Sequence, residues 1–307
     1  MKILKLIFGG DEEGPKGATS QSVLPPTFWI GTAPHDSITS SNQVPEQAGP
    51  GAAGALQEFL RNAPDTLQEV RKLFSDISHS PSLPARQQIL TDICLQLGRL
   101  KKQFAVFQLH PAWQLAFPLE GLFQQLIDNP SQLTLSTLRT AASALVLLDS
   151  LCVPGLRRDL AHNPTVHILA VDDNFTCRQA ILTSLKKTFA PPDVAEDGEA
   201  ALALAEQQPY DIVFLDVQMP GTDGYEACAR IRQMEANRNT PVVFVTSHSD
   251  FESRSRSVSS GGKDLIAKPF LSFEITVKAL TLVLRKRLDE NKSVQPEDIA
   301  SSVLVAA

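Results

Sequence analysis

From Ala55 to Leu151 apolar residues return every three or four positions. Leu67, Val70, Leu73, Phe74 and Ile77 form one stripe, and Ile89, Leu90, Ile93, Cys94, Leu97, Leu100, Phe104 and Phe107 a second. Leu115, Leu119, Leu122, Phe123 and Leu126 make a third, and Leu138, Ala141, Leu145, Leu148 and Leu151 a fourth. This spacing lays apolar side chains along one face of an α-helix. Pro81, Pro84, Pro111 and Asn129-Pro130 stand between the stripes as breakers. The pattern predicts four amphipathic helices with short connections, as in an antiparallel bundle. Pro118 is expected to kink or delay the third helix.

From His162 the pattern changes. Val166 to Val171, Ile212 to Leu215, Val242 to Val245 and Leu265 to Ala267 are continuous apolar runs, as expected for strands covered on both faces. Asp193 to Ala195 is a weaker candidate strand. Amphipathic segments follow at Arg178 to Phe189, Glu199 to Gln207, Tyr225 to Glu235, Glu252 to Ser259 and Glu274 to Leu288. Five alternating units predict an α/β domain: a doubly wound, five-stranded parallel sheet of flavodoxin-like order, preceded by the all-α bundle.

At 307 residues the chain suggests two domains, each large enough for its own core. The expected organisation is a disordered leader over 1–54, rich in Gly, Pro, Ser, Thr and Gln, and a helical bundle over 55–153. A linker over 154–164, the α/β domain over 165–288 and a disordered tail over 289–307 follow. Phe28-Trp29-Ile30 reads as a docking motif or a loose contact. Met1 to Phe8 is too short for a signal-peptide core and reads as a frayed terminus or a surface tag. No run approaches the roughly 20 apolar residues of a membrane span.

A net charge of −6 argues against nucleic-acid binding by bulk charge. Cys94, Cys152, Cys177 and Cys228 are widely spaced without a C-x-x-C pair, which suits packing residues of a reduced, cytoplasmic protein.

The strand ends carry the chemistry. The first run ends in Asp172-Asp173, the second in Asp216, the third in Thr246 and the fourth in Lys268. In an open parallel sheet the ligand crevice lies beyond the carboxyl ends of the strands, so these groups converge. Clustered carboxylates imply a bound cation or a raised pKa. Mg2+, which takes one or two carboxylates, waters and phosphate oxygens, resolves the charge. Asp216 is then a candidate nucleophile for an aspartyl phosphate. The Lys268 ammonium and Thr246 hydroxyl would neutralise the transferring oxygens.

Residues 165 to 288 resemble the receiver domain of bacterial two-component response regulators. The likeness rests on Asp172-Asp173-Asn174, Asp216-Val217-Gln218-Met219-Pro220-Gly221 with Asp223-Gly224, Thr246-Ser247 and Lys268-Pro269-Phe270. It implies Asp216 as phosphoacceptor, Asp172, Asp173 and Asp216 as magnesium ligands with the Gln218 backbone carbonyl, and Thr246 and Lys268 on the phosphoryl group. It also implies a cis peptide before Pro269. One departure is Leu265, where many receivers carry an aromatic residue. Gln218 and His248 flank the site and could tune dephosphorylation, or His248 could be a plain exposed side chain.

The bundle resembles a histidine phosphotransfer domain more distantly. Cys94-Leu95-Gln96-Leu97-Gly98 stands where that family has His-x-x-Lys-Gly and keeps only the glycine. Neither His79 nor His110 replaces the histidine. The alternative is an unrelated bundle used for docking or dimerisation.

The resemblance implies a phosphorelay protein rather than an enzyme, one that carries out only its own Mg2+-dependent phosphorylation and dephosphorylation. A histidine kinase or phosphotransfer protein would be the donor. Residues 289–307 are too short for a DNA-binding or cyclase domain, so the signal is expected to leave through protein contacts, to a partner or a homodimer of the bundle. The alternatives are a phosphate sink or relay intermediate, or an assembly scaffold. The Ala306-Ala307 end reads as a degron or a plain end.

Overall fold

The computed structural model describes residues 50–153, 164–247 and 251–293. The leader and its Phe28-Trp29-Ile30 motif up to residue 49, the linker from 154 to 163, His248 and the tail from 294 lie outside the described residues. The described residues from Ala55 onward form one compact unit.

Four helices come first: α1 (Pro50–Ile77), α2 (Leu83–Val106), α3 (His110–Asp128) and α4 (Leu135–Leu151). Local chemistry sets their ends. Ser82 caps α2 by accepting the Ala85 N–H, and Pro84 stands in the first turn, where its missing N–H costs nothing. Thr134 and Thr137 cap α4 reciprocally. The delay expected at Pro118 does not occur. Helix α3 starts at His110 and carries Pro118 in its interior, where the ring is buried in the core. That burial outweighs the lost backbone bond. Edge-to-face pairs, Phe59 on Phe104 at 5.9 Å and Phe74 on Phe123 at 6.0 Å, bring α1 onto α2 and α3.

The second half alternates strand and helix: β1 (Ile168–Val171), α5 (Phe175–Leu185), β2 (Asp193–Ala195), α6 (Gly198–Gln207), β3 (Ile212–Leu215), α7 (Gly224–Ile231), β4 (Val242–Thr246), α8 (Phe251–Ser259), β5 (Asp264–Ala267) and α9 (Ser272–Ser293). The sheet is parallel in the order β2-β1-β3-β4-β5, as expected for flavodoxin-like winding. Successive side chains part to opposite faces. Ile168, Ala170, Ile212, Phe214, Val243, Val245 and Ile266 join the core under α5 and α9, while Leu169, Val171, Val213, Leu215, Val242, Phe244 and Leu265 join that of α6 and α7.

The two halves do not bury separate cores, contrary to expectation. One apolar cluster runs from Phe59 through the bundle and α9 to Ile168 and Phe214 of the sheet. The cause is α9, which packs on α5 and β3 on one side and on α3 and α4 on the other. Every residue from Glu274 to Thr281 is buried, so over this stretch the amphipathic segment read at Glu274 to Leu288 is covered on all its faces. Helix α4 also touches β5. Among the described residues no helix is long and apolar enough to cross a membrane.

Polar groups are buried at this junction. Lys278 pairs with Asp264 at 2.5 Å, and Glu274 accepts a hydrogen bond from Ser136 of α4 at 2.5 Å. Burial pushes the Glu274 carboxyl up to about 7; the Ser136 hydrogen bond, the Lys278 charge and a Leu271 backbone hydrogen bond pull it down, and Asp264 adds to the rise.

The shared core and its buried acid lead to three expected outcomes. Leu284→Ala, fully buried in the common cluster, should cost about 3 kcal/mol. Denaturant-dependent hydrogen exchange should show α2 and β3 amides losing protection in one common transition; separate transitions would contradict the shared core. A carboxyl whose folded value is raised stabilises most at low pH and loses that contribution as pH rises towards the folded value. Chemical denaturation of Glu274→Gln and the parent chain should therefore show the difference moving in favour of Gln by about 2 kcal/mol between about pH 5 and pH 8.

Candidate functional site

Asp172 follows β1 directly, and the chain enters α5 three residues later, at Phe175. Asn174 caps that helix, its side-chain oxygen accepting the Thr176 and Cys177 N–H groups at 2.9 and 3.2 Å. Its own N–H donates to Asp172 Oδ1 at 3.0 Å, which fixes the carboxylate over the strand end. Arg178, one turn into α5, donates to the carbonyls of Asp172 and Asp173 at 2.7 and 3.0 Å. Sequence reasoning placed Arg178 only as the start of a helix; its spacing of one turn from the Asn174 cap was the available signal.

Asp216 follows β3, in register with the end of β1: its N–H donates to the Val171 carbonyl at 2.8 Å. Asp216 Oδ1 accepts the Val217 N–H at 2.7 Å. The loop beyond turns through Gly221, whose φ of +78° is the left-handed conformation that glycine adopts without strain. Gly224 then comes so close that a Cβ there would lie 2.0 Å from the Asp216 carbonyl oxygen. Only glycine lets α7 begin at this point.

Thr246 ends β4, fully buried, opposite Ala267 of β5. Its carbonyl accepts the Lys268 N–H at 2.8 Å, holding the residue after β5 against the end of β4. The Lys268-Pro269 peptide is cis, as the resemblance implied. The ammonium lies 2.7 Å from Asp172 Oδ2 and 2.8 Å from Asp216 Oδ2. The Asp216 contact is an aligned hydrogen bond. The Asp172 contact is an ion pair out of hydrogen-bond alignment, leaving Oδ2 an unfilled acceptor in a buried position.

One carboxylate oxygen from each of Asp172, Asp173 and Asp216 lies within 4.8 Å of the others, with Asp172 and Asp216 buried and Asp173 exposed. Burial pushes the Asp172 carboxyl up against the opposing pull of Lys268. Burial lowers the Lys268 ammonium, but its close contacts with the Asp172 and Asp216 carboxylates outweigh that and raise it. Three carboxylates facing one ammonium leave an excess of negative charge that a hard cation would complement. Gln218 is exposed in the loop after Asp216. Asp172, Asp173, Asp216 and Lys268 are thus brought together, with Thr246 at the neighbouring strand end.

In the bundle, Cys94 offers no comparable centre. Burial pushes its thiol up to about 12, so it stays protonated near neutrality, and its neighbour Glu120 is paired with Lys101. His79 and His110 are exposed.

Lys268→Ala should cost about 3 kcal/mol in chelator-treated protein, because it strands the two buried carboxylates of Asp172 and Asp216. Adding Asp172→Asn should recover part of that loss, since it removes one of the two uncompensated charges. Urea unfolding of the two variants measures both; additive losses would show that the pair is not coupled.

Known proteins resemble this chain over the same residues. The response regulator receiver domain family matches residues 168–280. The transcriptional regulatory protein ResD of Bacillus subtilis is 35% identical over 118 residues, which cover 38% of this chain and 48% of ResD. The sensor histidine kinase GacS of Pseudomonas protegens is 34% identical over 136 residues, 42% of this chain and 15% of GacS. The chain thus spans about half or less of the length of these relatives. Among solved structures, the receiver domain of sensor histidine kinase PA1611 from Pseudomonas aeruginosa, with magnesium in its active-site cleft, is 29% identical. That match covers 39% of this chain and 98% of that one, with a TM-score of 0.37. The family match begins at β1 and leaves the four preceding helices outside it. The chain therefore carries, at residues 168–280, a receiver domain of the response regulator family.

Proposed function

We propose that the chain is a response regulator of a two-component phosphorelay, accepting a phosphoryl group on Asp216 from a phosphohistidine of a histidine kinase or phosphotransfer protein. The observation that carries this reading is the convergence of Asp172, Asp173 and Asp216 on one ammonium, Lys268. The donor set fits Mg2+: Asp172, Asp173 and Asp216 offer hard carboxylate oxygens, one of them a buried, unfilled acceptor, and the receiver likeness adds the Gln218 backbone carbonyl as a further ligand. When bound, the ion would neutralise charge on the phosphoryl oxygens.

The chain's own groups divide the work. Asp216 Oδ1 is engaged by the Val217 N–H and Oδ2 by the Lys268 ammonium, and Oδ2 becomes the attacking atom as that ammonium turns to the incoming group. Its bond to phosphorus forms as the phosphorus–nitrogen bond breaks, and the electron pair leaves with the donor imidazole. Lys268 then pairs with a phosphoryl oxygen instead of Oδ2, and the Thr246 hydroxyl supports the same group. Attack of water on phosphorus reverses the modification, releasing inorganic phosphate and restoring the carboxylate. The chain performs this chemistry only on itself.

Output passes through protein contacts, and the packing of α3 and α4 on α9 favours the bundle as the responding element over a passive phosphate sink.

Full-length chain incubated with phosphoramidate and Mg2+ should gain the mass of one phosphoryl group. Asp216→Asn, or removal of Mg2+ by chelation, should abolish the gain. Undiminished labelling of Asp216→Asn would overturn the assignment.

A further inference from the structure

Residues 265–274 connect the site to the bundle. The segment begins on β5, carries Lys268 in its middle and ends in the first turn of α9. The bundle holds it at both ends. Ser136, in the first turn of α4, donates to the Leu265 carbonyl at 3.3 Å and to Glu274 Oε1 at 2.5 Å. One hydroxyl has one proton, so these two contacts share it, and all three residues are buried. Gln125 of α3 donates to Ser272 Oγ at 3.0 Å and accepts the Phe273 N–H at 3.2 Å. Gly121, one turn earlier on α3, lets the Phe273 ring lie against the helix: a Cβ there would be 2.6 Å from the ring.

We propose that Ser136 and Gln125 are positioning residues of the receiver site: from the bundle they pin residues 265–274, and with them Lys268, in the arrangement that bridges Asp172 and Asp216. The inference rests on the reading of Asp216 as phosphoacceptor. Loading Asp216 requires the ammonium to leave Asp216 Oδ2 for the incoming group. A segment tied at both ends resists that shift, so the bundle restrains loading. Coupling between two sites is reciprocal, so loading must in turn loosen the ties to α3 and α4. Ser136 holds the carbonyl of Leu265, the position where the receiver family often has an aromatic residue, so the bundle contacts the backbone there whatever the side chain.

The test is calorimetric titration of beryllofluoride, a phosphoryl mimic, into the full chain with Mg2+. Ser136→Ala and Gln125→Ala should each bind the mimic about three- to tenfold tighter than the parent chain, the range of one lost hydrogen bond. Gln125 is only half-buried, so its variant carries the test if Ser136→Ala does not fold. Arg71→Ala, which breaks the bundle-internal pair Arg71–Asp149 and touches no residue of the segment, should lower stability without changing affinity. Unchanged or weaker binding in the Ser136 and Gln125 variants, or an equal gain in Arg71→Ala, would overturn the clamp while leaving the phosphoacceptor reading intact. A parent chain that does not bind the mimic would overturn both.

Discussion

Helix α9 has to satisfy two partners at once. Its inner side covers β3 and packs on α5, and its outer side accepts α3 and α4, so a helix that closes the sheet also closes the bundle. Apolar burial at about 25 cal/mol per Å2 is non-directional, and a helix buried on nearly every face gains it from both neighbours. The cost appears in the polar residues it carries. Glu274 and Lys278 are taken out of water and must find partners, which they do in Ser136 and Asp264. The junction is therefore held by apolar area and aligned by a few buried polar contacts.

The same constraint reaches the site. Asp172 and Asp216 are brought side by side because β1 and β3 are neighbouring parallel strands in register, and both carboxylates fall under the ammonium of Lys268. Lys268 is held through its backbone by Thr246 and lies in the segment that leads into α9. Charge balance at the strand ends and packing of the bundle thus meet in one stretch of ten residues, 265–274. A change in the first has a short mechanical route to the second.

Much of this was legible in the sequence, for identifiable reasons. The continuous apolar run at 212–215 and the weaker candidate at 193–195 are strands over those same residues, and the run at 265–267 extends by one residue to Asp264. The polar residues just beyond the runs form the site, because in a parallel sheet the strand ends alone decide what meets there. Proline signals were read less well. Pro111 opens α3 as its breaker role allowed, yet Pro118 neither starts nor delays a helix, since core burial of the ring is a tertiary effect. Arg178, Ser136 and Gln125 were missed. The targets of Ser136 and Gln125 lie more than 120 residues away and cannot be located from spacing along the chain, whereas the one-turn spacing of Arg178 from the Asn174 cap was there to be read.

By itself the sequence determined the element types, their order and the identity of the groups at the strand ends, since periodicity, capping and turn chemistry act within a few residues. Only the tertiary structure decided that the bundle and the sheet share one core through α9, and that Ser136 and Gln125 reach residues 265–274. Those contacts join positions more than 120 residues apart. Whether a helix face is solvated or covered by another element depends on what the rest of the chain brings to it, and no local pattern records that.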